Sequence, residues 1–326
     1  LRESWGLEPR GLTLLDTERD DSYRVDLDGD PVLVKVAHPN DPAPLLALQD
    51  DALAAIAEAD PDLPAPRVIP PGRGPVLLDD RIVRVLSWLP GEPTPAERLP
   101  LRAGGETLAR LSSALCGVDH PAADRILPWD LVQVPGLAPY TDDPELSEMI
   151  ARFAEEVSPV LARLPRQVIH NDFHPGNVLA DRGAISGVLD FGDIVRAPRV
   201  CDVGIALGYL IPEEGEVDAV VAAFVAGFEG ARAADRRGAV DPPGSRRRAR
   251  GAAPRHQRRA GTPRRGVAAR RAPAAAPARA GPEGVDVTGP TTYFDPATVD
   301  HLDPRTADLV RRRIAAMGPA YRLFYR

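Results

Sequence analysis

At 326 residues, with 44% hydrophobic and 27% charged side chains, the chain has the length of about two domains and ample material for a buried core. No apolar run reaches the ~18 residues of a membrane span. Leu1-Arg2-Glu3-Ser4-Trp5 lacks the basic and apolar regions of a secretory leader, so a cytoplasmic protein is expected, with an earlier natural start because no Met opens the chain. The net charge of −7 joins two opposite parts: residues 231–280 hold fifteen Arg and two Asp with no Lys or Glu, a formal +13, so the rest carries −20. An acidic body argues against nucleic acid as the partner of the folded part and suits a cationic small molecule. Cys116 and Cys201 are too few and too far apart for a disulfide framework or a zinc site, and read as two buried thiols.

In chain order, short strands are predicted over 12–15, 23–27 and 31–36, with Asp28-Gly29-Asp30 as the turn between the last two. Residues 44–58 are predicted helical, because Leu45, Leu48, Ala52 and Ile56 recur at helical spacing. Leu63-Pro64-Ala65-Pro66 ends that stretch, strands follow over 75–78 and 81–88, and Pro90-Gly91 punctuates the chain. Residues 1–89 therefore read as a small β-rich lobe. Helices are expected over 99–120 and 143–164, then a short strand over 167–170. A hairpin is expected between 177–180 and 185–189, turning at Asp181-Arg182-Gly183-Ala184 and folding Asn177 back towards Asp190. Helices over 199–210 and 217–228 complete a mostly helical second lobe over 90–230. The fold class is α+β, in two lobes.

Residues 231–280 differ in kind. Ala, Arg, Pro and Gly make up 42 of the 50, and none is Leu, Ile, Met or aromatic, so 231–284 is expected to be disordered. Those four residue types have codons beginning with two G/C bases. A shifted reading frame in GC-rich DNA thus explains the composition as well as a basic linker does, and is favoured because the second lobe needs more helix at this point.

The chemistry concentrates in His170-Asn171-Asp172-Phe173-His174-Pro175-Gly176-Asn177 and, thirteen residues after Asn177, Asp190-Phe191-Gly192-Asp193. H-x-D-x-x-x-x-N followed by D-F-G is the order of a phosphoryl-transfer site. Such a reaction asks the protein for positioning and charge neutralisation. Asp172 can accept the proton of an attacking hydroxyl, and Asn177 and Asp190 offer hard oxygen ligands suited to Mg²⁺ on nucleotide phosphates. His170 belongs with Asp172 in the catalytic set as the brace of the loop, and His174 reads as a structural, loop-bracing residue. Lys35 is the chain's only lysine. It lies on the third predicted strand, where a flexible point charge can reach nucleotide phosphates that a planar guanidinium fits less well. Asp193 runs directly into Ile194-Val195-Arg196-Ala197-Pro198, leaving no room for the long activation loop of a protein kinase.

On these motifs, residues 10–230 resemble the aminoglycoside phosphotransferase/choline kinase superfamily, whose fold is bilobal and protein-kinase-like. Thr17-Glu18-Arg19-Asp20-Asp21-Ser22-Tyr23 and Leu127-Pro128-Trp129-Asp130-Leu131 are most similar to its hydroxylysine kinase and homoserine kinase-like branch. The resemblance implies that Asp172 is the base, that Asn177 and Asp190 hold Mg²⁺, and that Lys35 binds phosphate of ATP. It also implies that Leu86 to Leu89, Trp88 and Leu89 included, form the hinge that meets adenine, and that Asp202 is the helix carboxylate bracing the catalytic loop. Two features depart from the pattern. The nucleotide loop has no glycine, so phosphate cradling rests on Ser22 and neighbouring amides. The helix position of the lysine's usual glutamate partner is held by Gln49, a neutral group, with Asp50 next to it as the alternative.

Residues 286–289 and 318–326 resemble the opening of a class III, pyridoxal-phosphate-dependent aminotransferase-like domain, and 306–317 read as an amphipathic helix. Residues 285–326 would then begin a fused second enzyme that removes phosphate from phosphorylated amino alcohols. With the acidic body, this points to an amino alcohol, hydroxylated amino acid or aminoglycoside as phosphate acceptor, its ammonium met by Asp130 or Asp193. The alternative is a catalytically impaired nucleotide-binding remnant of a kinase–aminotransferase fusion, with a second lobe lacking its last helices.

Overall fold

The computed structural model describes residues 1–238 apart from Glu18, Pro128, Glu213 and Glu214. The rest of the Arg-rich segment, the aminotransferase-like tail and the helix expected over 306–317 lie outside the described residues.

The first lobe runs α1 (Arg2–Trp5), β1 (Gly11–Leu14), β2 (Asp21–Asp26), β3 (Val32–Val36), α2 (Ala43–Ala59), β4 (Val68–Ile69), β5 (Val76–Leu78) and β6 (Arg81–Ser87). The strands form one sheet in the order β1-β2-β3-β6-β4, with β5 beside β6. Side chains alternate across the sheet because successive residues of a strand point to opposite faces. Val25, Val32, Val34 and Val85 pack on one face with Trp5, Tyr23 and Ile69. Leu33 and Leu86 join the large core shared with α2 and the second lobe. Register decides what else shares that inner face: Ser22 pairs with Lys35, and Lys35 with Arg84, so these three polar residues form a row across three strands.

A tight link joins the lobes. Gly91 has φ +106°, and a Cβ there would lie 2.4 Å from Ser186 Oγ, the hydroxyl that donates to the Pro90 carbonyl at 2.7 Å. Only glycine fits this close approach and this backbone conformation. The following short strand β7 (Glu92–Pro93) pairs with β9 (Val178–Asp181) of the second lobe.

The second lobe continues with α3 (Leu101–Ala114), a 3₁₀ segment over Leu131–Tyr140, α4 (Pro144–Arg152), a π turn over Phe153–Val157, and α5 (Ser158–Leu161). Then come β8 (Arg166–Ile169), β9, β10 (Ala184–Val188), β11 (Val195–Pro198), α6 (Arg199–Leu210) and α7 (Val217–Gly238). The β9–β10 hairpin closes through Arg182 and Gly183, both at positive φ (50° and 82°), as a two-residue loop matched to strand twist demands. β11, which pairs with β8, was not expected from the sequence.

Two expectations change. Cys116 is exposed while Cys201 is buried, so only one of the two thiols belongs to the core. Helix α7 runs on to Gly238, eight residues into the stretch read as disordered. It lies against α3 at a distance that only glycine permits: a Cβ on Gly105 would sit 2.0 Å from the Phe224 carbonyl oxygen, and one on Gly227 2.0 Å from that of Arg102. Val221, Phe224 and Phe228 are buried there, within the helix expected over 217–228.

Candidate active site

β8 carries buried Val168 and Ile169 up to His170, whose side chain is fully buried. His170 Nδ1 accepts from the Asp172 amide at 3.3 Å, and Nε2 lies 2.9 Å from the Leu189 carbonyl oxygen. A carbonyl only accepts, so the proton sits on Nε2, and one neutral tautomer satisfies both contacts. Burial lowers the imidazole pKa, outweighing the pull of the Asp172 carboxylate. The ring meets Phe191 edge-on at 4.9 Å. His170 is therefore built to hold the loop in shape, its one ring proton committed to the Leu189 carbonyl.

Asn171 turns the chain with φ +66°, a conformation that Asn tolerates better than most residues. Its amide and that of His170 both donate to Asp202, at 2.6 and 3.1 Å. Asp202 lies in the first turn of α6 and is fully buried. One carboxylate thus satisfies two consecutive amides at the start of the loop.

Asp172 Oδ2 accepts from Asn177 Nδ2 at 2.8 Å and lies 3.4 Å from His174 Nε2. His174 Nδ1 accepts from the Gly176 amide at 3.0 Å, which places a proton on Nε2, on the side of Asp172. The ring stacks on Tyr209 at 4.7 Å, and a Cβ on Gly176 would come within 2.7 Å of its Cε1. The β9–β10 hairpin then returns the chain: the Leu189 amide donates to the Asn177 carbonyl at 2.8 Å, bringing Asp190 beside Asn177. Asp190 is exposed, has φ +55°, and its Oδ1 accepts from the Gly192 amide at 3.0 Å.

Three residues on, Asp193 Oδ2 accepts from the Trp129 indole at 2.7 Å. Burial, followed by the nearby Asp172 and Asp190 carboxylates, pushes its pKa up to about 7, against the opposing pull of Arg125 and the indole. Arg125 supports this turn from inside, its guanidinium donating to the Gly192 and Ile194 carbonyls. Asp172 and Asp190 thus lie close enough to Asp193 to act on its charge, and the Trp129 ring borders the same group.

Comparison with known proteins accords with this geometry. A sequence profile of the Phosphotransferase enzyme family (APH) matches residues 13–240. The chain belongs to the phosphotransferase enzyme family. It is 30% identical to hydroxylysine kinase of Mus musculus over 171 residues, covering 45% of this chain and 46% of that protein. It is 31% identical to homoserine kinase of Phenylobacterium zucineum (strain HLK1) over 163 residues, covering 45% and 48%. The chain spans about half the length of the curated relatives it matches. Among solved structures it is similar to the amicoumacin kinase hAmiN, solved in complex with AMP-PNP, Ca2+ and Ami, with TM-score 0.55 and 17% identity over 72% of this chain and 75% of that one. The fold is accordingly the two-lobed, kinase-like α+β fold.

In this family member the first-lobe side of the cleft differs from the sequence expectation. Lys35 Nζ is 2.9 Å from Asp20 Oδ2 and not against α2. Gln49 Oε1 instead accepts from Arg84 at 2.6 Å, and Asp50 pairs with the same guanidinium at 3.0 Å. Ser22 is buried beside Lys35 on the inner face of the sheet. The Trp88 ring carries the Arg24 guanidinium 4.9 Å from its centroid, and Leu89 is half-buried next to it.

Asp130 needs correcting as well. It is fully buried, and its Oδ1 accepts from the Val132 amide at 3.1 Å as the cap of the 3₁₀ segment. A capping carboxylate with no exposed surface shapes the loop here, whereas the expectation from the sequence placed it against the acceptor's ammonium. Arg84 and Arg125 were not singled out by the motifs, and Asp20 and Trp129 stood within motifs without a role of their own. The signal for Arg84 was its strand parity with Leu86 and Trp88, which places it on the inner face.

Among the described residues no three or more His, Cys, Asp or Glu gather into a metal-binding cluster. The donor set at the site still fits one Mg²⁺. Asn177 commits its Nδ2 to Asp172, which leaves its oxygen as the ligating end, and Asp190 adds an exposed carboxylate. Two hard oxygens completed by water and nucleotide phosphates are a usual shell for this ion. Among the described residues no helix is long and apolar enough to cross a membrane.

Proposed function

We propose that the protein is a small-molecule kinase that moves the γ-phosphate of ATP to a hydroxyl of an amine-bearing acceptor: an amino alcohol, a hydroxylated amino acid or an aminoglycoside. The observation that carries this reading is the setting of Asp172, held by Asn177 at 2.8 Å and faced by His174 at 3.4 Å on a loop fastened to buried Asp202. A carboxylate fixed on a braced loop, with other carboxylates near it, is suited to orient a hydroxyl and take its proton. The family membership and the hydroxylysine and homoserine kinase relatives support the hydroxyl acceptor.

Bound Mg-ATP would supply the phosphoryl group and neutralise its charge as transfer proceeds. This chain's own residues do the rest. Asn177 and Asp190 would hold the metal, and Lys35 and Ser22 the phosphate end of the nucleotide. The segment Leu86 to Leu89 would meet the base. Asp172 would accept the hydroxyl proton, while His170 and Asp202 keep the loop from moving. Asp193, oriented by Trp129, would meet the ammonium of the acceptor; a nearby cation would favour its ionised form.

The alternative, a catalytically impaired nucleotide-binding remnant, predicts binding of Mg-ATP without turnover. The test is an ADP-release screen of amino alcohols, hydroxylated amino acids and aminoglycosides against neutral sugar alcohols, with Asp172→Asn as control. Turnover restricted to the amine-bearing acceptors and lost in Asp172→Asn is expected. Equal turnover of sugar alcohols would remove the ammonium assignment, and full activity in Asp172→Asn would remove the base.

A further inference from the structure

The inner face of the first-lobe sheet carries two cations side by side, half-buried Lys35 and buried Arg84, in register across β3 and β6. Each has its own partners. Arg84 is 6% exposed and takes Gln49 and Asp50 of α2. Lys35 turns the other way, to Asp20 in the loop that precedes β2. Asp20 is 9% exposed, so this is no loose surface pair.

The loop around Asp20 is fastened on several sides. Asp20 Oδ1 accepts from the His38 amide at 3.1 Å, and its carbonyl accepts from Thr17 Oγ1 at 2.6 Å. The neighbouring Arg19 guanidinium bonds to Asp41. A loop without glycine thereby gains a fixed shape from its side chains, and the same carboxylate that fixes it also holds the lysine. Burial raises the Asp20 pKa, but Lys35, the His38 amide and Arg84 together outweigh that and leave it below the usual carboxylate range.

We propose that Asp20 is the positioning residue for Lys35, a role left to it because Arg84 occupies Gln49 and Asp50, the α2 side chains at the position of the lysine's usual partner. This rests on the phosphotransferase reading. The consequence is a change in what the lysine senses. Its orientation follows the loop that would cover the phosphates, through Asp20, and is independent of the position of α2. Arg84 is the anchor that ties α2 to the sheet. Asp20 acts through Lys35 and is not itself in contact with the reacting atoms.

Binding of Mg-AMP-PNP, measured by calorimetry on the full chain, tests this. Asp20→Asn should weaken binding at least tenfold, and Lys35→Met by a similar factor. The double variant should bind no more weakly than Lys35→Met alone, because the two side chains act as one unit. Asp50→Asn, which leaves Arg84 its bond to Gln49, should bind within twofold of the parent. Thermal melts of each variant separate loss of fold from loss of binding, and Asp20→Glu should recover part of the affinity if the charge is what matters. Parent-like affinity in Asp20→Asn would overturn the proposal, as would additive losses in the double variant or an equal loss in Asp50→Asn. A parent protein that binds no Mg-AMP-PNP would overturn the kinase reading together with it, whereas the other outcomes leave that reading standing.

Discussion

Asn177 Nδ2 lies 2.8 Å from Asp172 Oδ2 and 3.1 Å from the Asp172 carbonyl oxygen, so one amide group holds both the side chain and the backbone of the residue five positions before it. The spacing of the motif is thereby explained by geometry: the 3₁₀ turn Pro175–Asn177 brings the two side chains into contact. Replacing Asn177 by Ala removes this donor together with the oxygen proposed to ligate the metal, and kcat is expected to fall about 10²-fold or more. Asn177→Asp restores the oxygen but sets a second negative charge against Asp172, so it should not rescue. Recovery of more than half the parent kcat in Asn177→Asp would show that the donor to Asp172 is dispensable.

Asp202 accepts from two consecutive buried amides. Asp202→Ala strands both donors, each at a cost of about 1–3 kcal/mol, so chemical denaturation should show a loss of about 2–6 kcal/mol. Asp202→Asn keeps one carbonyl acceptor and should lose less stability. Activity should suffer in both, because the loop that carries Asp172 begins at these amides. An Asp202→Ala protein with parent stability would mean that the loop holds its shape by other means.

Much of this arrangement is readable in the chain because its signals are local. The Asn177–Asp190 return follows from a turn sequence between two short apolar runs, and Lys35 stands out by being the only lysine. What failed depends on partners distant in sequence. Nothing near Gln49 or Asp50 reveals that Arg84, more than thirty residues on, takes both. Asp130 precedes an apolar run and reads equally as an open-loop carboxylate or as a cap. Burial of the following Leu131, Val134 and Leu137 makes it a cap. β11 was missed because four residues holding Arg and Pro give no strand pattern until β8 is present to pair with them.

Asp193 sets a pH dependence. Its folded pKa of about 7 lies above the ordinary aspartate value of about 3.9, so the folded state binds its proton more tightly than the unfolded state. The stability from this group is full below about pH 4 and is lost as pH rises through about 7. The gap corresponds to on the order of 4 kcal/mol. Urea denaturation between pH 5 and 8 should therefore show a decline that Asp193→Asn abolishes. For a cationic acceptor the sign reverses, since KM should fall as Asp193 ionises through the same range. A parent protein with stability flat across this range would contradict the raised pKa.

The contact between α3 and α7 gives a test of how the second lobe is closed. With Gly105 and Gly227 each lacking room for a Cβ by a wide margin, Gly105→Ala or Gly227→Ala must drive the helices apart. The obstructing atoms are backbone carbonyls, which cannot rotate away as a side chain can. A loss of about 1–3 kcal/mol is expected from either change, with opening of the packing around Phe224 and Phe228. The double variant should lose less than the sum, because a separation made for one alanine admits the other. Gly230 provides the contrast. It lies in the same helix α7, a Cβ there meets nothing within 4 Å, and Gly230→Ala should raise stability by about 0.5–1 kcal/mol through backbone entropy. Thermal melts of the four variants side by side decide the point. Alanine tolerated equally at 105, 227 and 230 would mean that α7 does not lie against α3, and that the core of the second lobe is closed by something other than this helix.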